Sequence, residues 1–405
     1  MIKLSKTMKM LLASLGIVCV TLITSTLTNN NIVTTKGATT ETEKISKENQ
    51  GKGVLNLFNF GREVKLSAVG DIILHDEQIW SAYDEENKSY NFNPNFKYIK
   101  SFLEESDICY GTIEGTYSGI EKGFSGYPKY NGPDTMIEAL YSSGFDILNL
   151  ATNHSLDKGE EGFNRTIEKV SEKMTPLGSE NYIVKKLKGI KIGFTSFTFE
   201  EKEEELNGVK IGESKINTFS YKTLDEDLIK MENIIKAMNE EGVDFIVFGM
   251  HWGVEYSGEP SKYQIKIAET LNKYGVDLIL GSNPHVIQPI LELKNENGEK
   301  TLVAYSLGNF LSNQREKTMG NRKTSDGVIL NITIDKNRKG AYVKEWSYIP
   351  TWVYKNEKEN KKSDYFILPV NETLESEEAK KLDGNIKAEL LKSKESTENI
   401  LGIRK

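Results

Sequence analysis

Short apolar runs alternate with stretches of helical spacing along most of this chain. The clearest unit spans residues 245–288. Residues 245–248, Phe-Ile-Val-Phe, are bounded by Asp244 and Gly249, which predicts a strand buried on both faces. Pro260 opens a helix in which Ile265, Ile267, Ala268, Leu271 and Tyr274 recur near helical spacing, and Gly275 closes it. Residues 276–280 form a second buried strand that empties into Gly281-Ser-Asn-Pro-His285. The same patterns predict strands at 64–69, 108–113, 145–150 and 301–305, and two around Gly189 within 183–199. Helices are predicted at 96–103 (capped by Asn93 or Asn95), 134–143, 160–174 and 224–239. Residues 328–334 and 341–348 alternate apolar and polar around a charged turn, an antiparallel pair. Strands alternate with helices to about residue 310 and then pair without them, which predicts an α/β sandwich with a mixed sheet.

Other stretches set the boundaries. Lys3, Lys6 and Lys9 precede an apolar run at 10–23, so residues 1–28 read as a signal peptide or an N-terminal membrane anchor. Either one places the body outside the cytoplasm, anchored to the cell membrane or secreted after cleavage. Residues 29–61 are a polar tether. One catalytic-type domain follows at 62–355, and 356–405 is a charged extension. The acidic run at 200–206 reads as a solvated loop insert. Net charge is −7, with no basic stripe among aromatics, which excludes nucleic acid as the main partner. Of the two cysteines, Cys19 lies in the apolar run and Cys109 is alone in the body; no intrachain disulfide is expected, and Cys109 reads as a small buried residue.

The chemistry lies in where the histidines fall. All four (His75, His154, His251 and His285) follow closely on predicted strands, as do Asp71 and Glu114. Ligand sites in α/β sheets form at the carboxyl ends of parallel strands, so this placement predicts one shared site. Imidazole with carboxylate suits a divalent transition metal: manganese, zinc or iron, as one or two ions. Such ions lower the pKa of a bound water, and a nearby free histidine can protonate a leaving group. The competing serine nucleophile lacks a G-x-S-x-G elbow, and Ser306 reads as a turn hydroxyl. No P-loop or G-x-G-x-x-G occurs.

Six short motifs occur in order: Gly70-Asp71-Ile, Ile113-Glu114-Gly115, Ala151-Thr-Asn153-His154-Ser-Leu-Asp157, His251-Trp252-Gly253-Val-Glu255-Tyr256, Gly281-Ser-Asn-Pro-His285-Val-Ile-Gln288 and Tyr305-Ser-Leu-Gly308-Asn309-Phe310. The series resembles the CapA family of capsule or poly-γ-glutamate synthesis proteins, a family similar in fold to the calcineurin-like metallophosphatases. The resemblance implies a metallophosphatase-like αββα sandwich with mixed β-sheets. It also implies a protein that makes, exports or anchors a poly-γ-glutamate-type capsule, with that polymer or a related anionic envelope polymer, and other capsule synthesis or export membrane proteins, as partners. By the same analogy Asp71, Glu114, Asn153, His251 and His285 are metal ligands. His154 is the general acid, and Asp71 and His251 belong to the catalytic set.

Two positions depart from the phosphatase pattern. Ile73 stands where a histidine follows the first aspartate, with His75 two residues further on. Asn283 replaces the first histidine of the last pair. A single metal, a pair, and a site that only binds substrate are all compatible with these changes. His75, Asn283, Trp252 and Tyr256 are the expected substrate contacts. Glu255 is a candidate to orient His251, Asp157 and Lys158 to cap a turn, and Gln288 and Asn309 to be structural. Besides a capsule-polymer hydrolase or transferase, the alternatives are an extracytoplasmic phosphoesterase and a non-catalytic polymer-binding component of an export complex.

Overall fold

The computed structural model describes residues 63–179, 182–358, 362–377 and 383–403. The expected signal or anchor at 1–28 and the tether at 29–61 lie outside these residues. In chain order the strands begin with β1 (Val64–Ile73), β2 (Tyr83–Asp84), β3 (Ser89–Tyr90), β4 (Ile108–Glu114), β5 (Ile147–Asn149) and β6 (Thr175–Leu177). Next come β7 (Ile183–Leu187), β8 (Ile190–Phe199), β9 (Glu205–Leu206), β10 (Val209–Lys210), β11 (Thr218–Phe219), β12 (Phe245–His251) and β13 (Leu278–Ser282). The last are β14 (Ile290–Lys294), β15 (Lys300–Ala304), β16 (Asn309–Leu311), β17 (Asp326–Asn337), β18 (Gly340–Glu357) and β19 (Ser363–Pro369).

Two large sheets form. The eight-stranded one runs β19-β18-β17-β1-β4-β5-β6, with β16 also against β1. Its β1, β4, β5 and β6 are parallel, whereas β17, β18 and β19 are antiparallel. The seven-stranded one runs β11-β8-β12-β13-β15-β14, with β7 beside β8. It is parallel from β11 to β15 and antiparallel at β14 and β7. Strand period sorts the side chains. Val64, Leu66 and Ala68 of β1 pack with Phe245 and Val247 of β12 in a core between the sheets. The intervening Ile246 and Phe248 face outward, under Met231 and Ile235 of helix Leu224–Glu240 and Ile267 and Leu271 of helix Lys262–Lys273. On the other side, Met136 and Leu140 of helix Thr135–Ser142 and Phe163 and Val170 of helix Gly159–Ser171 join the outer core of the eight-stranded sheet. The result is the expected αββα sandwich with mixed sheets.

Several expectations change. The helix expected at 96–103 is a 3₁₀ turn, Asn93–Phe96, followed by a short helix, Lys100–Leu103. Pro94 sits at the start of the turn, and Phe96, Ile99 and Leu103 are buried all the same. Helix Lys262–Lys273 is started by Ser261, not Pro260. The Ser261 Oγ accepts from Gln264 N at 3.3 Å, and Gln264 Oε1 accepts from Ser261 N at 2.9 Å, a reciprocal cap. The expected domain end at 355 falls inside β18. Beyond it β19 extends the sheet and buries Tyr365 and Ile367, and Leu390 of helix Gly384–Leu401 packs on Trp352 and Leu368. Cys109 is buried, as expected, whereas Cys19 lies outside the described residues. Among the described residues no helix is long and apolar enough to cross a membrane.

One close approach holds the site end together. The main chain of Gly70 passes so near Gly308 that a Cβ on Gly70 would lie 1.9 Å from Gly308 O. This contact lets Asp71 N donate to Gly308 O at 3.0 Å. Gly70→Ala should therefore destabilise the protein by about 1–3 kcal/mol or more, since both partners are main chain and neither can rotate away. Urea denaturation would show it; an unchanged midpoint would contradict the contact.

Candidate metal centre

The parallel blocks of the two sheets place their carboxyl ends together. Asp71 and Glu114 come from adjacent strands: Asp71 is in register with Thr112, and Glu114 with Ile73. Asp71 lies at a register shift in β1. His251 is the last residue of β12 and shares the parity of Phe245 and Val247, so it points between the sheets. Donor atoms of Asp71, Glu114 and His251 lie within 4.8 Å of one another, and all three residues are buried. The β13 end adds His285, whose Nδ1 is 3.3 Å from Asp71 Oδ2 and whose Nε2 is 3.8 Å from Glu114 Oε1. The loop after β5 adds Asn153, with Oδ1 3.0 Å from His251 Nε2. All five expected ligands therefore converge.

The donor set fits a divalent metal. Asp71 Oδ1, Glu114 Oε2 and Asn283 Oδ1 are buried side-chain oxygens with no hydrogen-bond partner among the described residues. Each such oxygen costs about 1–3 kcal/mol unless something satisfies it, and bound ions are a standard reason for orphaned groups. Oxygen with imidazole is a combination that manganese, iron and zinc accept. The supporting loop is strained: Asn283 and His285 have φ of +91° and +57°, the left-handed region. Asn283 N donates to Asp71 Oδ2 at 3.1 Å, so the unusual conformation holds the first carboxylate.

Charge states follow from burial and neighbours. Burial pushes the His251 imidazole well below its ordinary pKa, aided by His285 and His154, so it is neutral. His285 is also opposed by burial, but Glu114 and Asp71 outweigh it and raise it to about 9. Burial raises Glu114, with Asp71 adding to it against His285 and His154. The amide of Asn309 gives both N–H groups to Gln314 Oε1 and Thr324 O, so its Oδ1 accepts from His285 Nδ1–H at 3.2 Å. That leaves His285 Nε2 as the ligand atom.

In front of these groups lies a cavity of about 580 Å³ with Glu114, Asn153, His154 and His285 on its wall. His154 forms a dyad with Asp157, Nδ1 to Oδ2 at 2.9 Å, and its Nε2 lies 3.7 Å from Glu114 Oε1. Burial lowers the His154 pKa, but Asp157 and Glu114 outweigh burial and raise it. Tyr130 meets the ring edge-on at 4.7 Å between centroids.

The expected substrate contacts divide. Tyr256 and His75 line the cavity. His75 is held at about pKa 4 chiefly by burial, and Asn313 N lies 3.3 Å from its Nδ1. Trp252 does not line the cavity. It is fully buried, stacks on Tyr305, and its Nε1 donates to Tyr305 O at 2.9 Å. It continues the parity of Ile246 and Phe248, so it belongs to the helix-side core. Asn283 is likewise buried behind the wall, its Nδ2 donating to Trp252 O at 3.1 Å.

The supporting cast also differs from expectation. Ser282 Oγ, 3.0 Å from Nδ1, orients His251, whereas Glu255 sits exposed at the cavity. Asp157 orients His154 instead of capping, and Lys158 holds the N-cap position without a side-chain capping bond. Gln288 is structural as expected: it donates to Ser257 O and Glu259 O and so ties down the 253–260 loop. Asn309, expected to be structural, holds a candidate ligand. The acidic insert is not simply solvated: Leu206 is fully buried, and Glu201 and Asn207 line the cavity. An acid three residues after a histidine signals the dyad; the roles of Ser282, Asn309 and Asn207 come only from folding.

Fold and site together define an αββα protein with a buried carboxylate–imidazole centre beneath a cavity. A family model described as "Bacterial capsule synthesis protein PGA_cap" matches residues 65–314. The chain belongs to this capsule synthesis family, as the motif series implied. It is 26 % identical over 258 residues to the PGA biosynthesis protein CapA of Bacillus subtilis (strain 168), a match covering 61 % of this chain and 63 % of that one. It is 25 % identical over 293 residues to the capsule biosynthesis protein CapA of Bacillus anthracis, covering 68 % and 65 % respectively. The matches thus span less than two thirds of either relative. Among solved structures, the calcineurin-like phosphoesterase YfkN from Bacillus subtilis matches with a TM-score of 0.44 and 14 % identity, over 72 % of this chain and 90 % of that one.

Proposed function

We propose that this protein acts outside the cytoplasm on a capsule polymer of the poly-γ-glutamate type, as a metal-dependent hydrolase or transferase in its synthesis, export or anchoring. The observation that carries this reading is the orphaned carboxylate oxygens of Asp71 and Glu114 beneath a cavity whose wall carries His154, a histidine whose pKa burial lowers but Asp157 and Glu114 together raise. Asp71, Glu114, Asn153, His251 and His285 would hold the ion. When bound, a divalent metal supplies Lewis acidity and a water of lowered pKa. The chain supplies the rest. Asp157 fixes His154 with Nδ1–H bonded, leaving Nε2–H to protonate the departing group. Tyr130 and Tyr256 wall the cavity. Among the described residues no lysine or arginine lines it, whereas Glu114, Glu201 and Glu255 do, so an anionic polymer would be met chiefly by the ion. The basic and apolar N-terminal segment supports the extracytoplasmic location and contact with other capsule proteins of the membrane.

The test is to purify the full chain, measure its metal content, and offer γ-glutamyl oligomers and an aryl phosphate in parallel. The expected result is bound transition metal and shortening or transfer of the oligomers. Turnover of the aryl phosphate alone would replace this reading with a phosphoesterase. Retention of polymer without metal or turnover would replace it with a binding protein.

A further inference from the structure

We propose that Glu201, on the acidic insert, is a positioning residue that fixes which way the Asn153 amide faces. The inference rests on the metal-centre reading above. Asn153 is the one expected ligand whose donor atom is ambiguous by shape: oxygen and nitrogen of an amide can exchange places by a flip. Only the oxygen can ligate. In the structure Oδ1 lies 3.0 Å from His251 Nε2, and Nδ2 donates to Glu201 Oε1 at 3.1 Å. A carboxylate accepts and never donates, so Glu201 admits only the nitrogen and turns the oxygen toward His251.

The insert is built to hold that carboxylate. Leu206 and Val209 flank Asn207-Gly208, whose φ values of +44° and +71° match the two-residue turn favoured between paired strands. Leu206 anchors the hairpin in the core. The turn then points Asn207 N at Glu201 Oε2, 2.8 Å away. The Asn207 amide spends its two N–H groups on Asp157 Oδ1 at 2.6 Å and Pro128 O at 2.8 Å. One hairpin therefore touches the partners of both Asn153 and His154. This explains why an exposed acidic run ends in a buried leucine and is followed by an Asn-Gly pair.

The experiment titrates Mn²⁺ alone into the metal-stripped full chain, comparing wild type with Glu201→Ala, Glu201→Gln and Asn207→Gly. Outer partners of metal ligands set affinity by about 10–100-fold, and Glu201→Ala should lose that much. Glu201→Gln has one acceptor oxygen for two donors, Asn207 N and Asn153 Nδ2, and its own NH2 can meet the Asn153 oxygen, so its affinity should fall between those of wild type and Glu201→Ala. Asn207→Gly keeps the turn and the backbone N–H, so its Mn²⁺ affinity should be unchanged. Melting temperatures of the stripped proteins, expected to agree, show that the fold is intact. Wild-type affinity in Glu201→Ala overturns the inference. So does wild-type affinity in Glu201→Gln, because a side chain that can donate would then serve as well as one that only accepts. A wild-type chain that takes up no Mn²⁺ overturns the metal-centre reading and this inference with it. Normal uptake by wild type and Glu201→Ala alike removes the inference alone.

Discussion

Replacing His154 by alanine is expected to lower turnover by about 10²–10⁴-fold, the range a positioned general acid supplies, while metal content stays that of the wild type. His154 is the histidine fit for that role. His251 is buried, neutral and bonded at both nitrogens. His75 is also held neutral. His285 has Nδ1 spent on Asn309 and Nε2 toward Glu114. His154 alone combines a raised pKa, an acid partner and a place on the cavity wall outside the expected ligands. The pH dependence follows with a definite sign. An acid must be protonated to act, so turnover falls as pH rises through the raised pKa of His154. Asp157→Asn removes one cause of that rise, and its profile should lose activity at lower pH than the wild type. Turnover intact in His154→Ala would remove the assignment. Loss of metal in that variant would instead make His154 a ligand.

Much of this site could be read in the chain because parallel strands impose order on sequence. Each strand ends in a loop at the same edge of its sheet, so a histidine or acid following an apolar run has little choice of location. Asp71, Glu114, Asn153, His251 and His285 all met for that reason. Parity was the harder variable. A strand alternates its faces, so His251 turns inward and Trp252, one residue on, turns into the helix-side core. Adjacency to a ligand in sequence thus argues against adjacency in space. Partners that arrive from distant segments, as Ser282 does to His251 and Asn309 to His285, leave no local pattern. The sheet's far edge was obscured for another reason. Ser363-Asp-Tyr-Phe-Ile-Leu-Pro369 is a good strand, but it follows a lysine- and glutamate-rich stretch that reads as tail.

His251→Ala and His285→Ala should each abolish retained metal while leaving the fold intact. Burial opposes charge on His285, but Glu114 and Asp71 outweigh it and raise its pKa from 6.5 to about 9, which favours the protonated ring at neutral pH when no ion is bound. A ligand must shed that proton, so metal affinity should rise with pH up to about 9, with proton release near neutrality. The stripped protein behaves in the opposite sense. A folded-state pKa above the unfolded value stabilises the fold fully below about 6.5, and that stabilisation is lost as pH rises from 6.5 through about 9. Glu114, raised above 4.5 chiefly by burial, adds a loss of the same sign beginning at lower pH. Metal therefore matters most where the stripped fold is weakest: at alkaline pH the bound ion offsets the repulsion between Asp71 and Glu114 that protonated His285 offsets at neutral pH. Thermal melts of loaded and stripped protein across this range should diverge as pH rises. In His285→Ala the proton release near neutrality should vanish along with the metal. Curves that converge instead, or metal retained by both alanine variants, would mean that these carboxylates and imidazoles are balanced by one another and not by an ion.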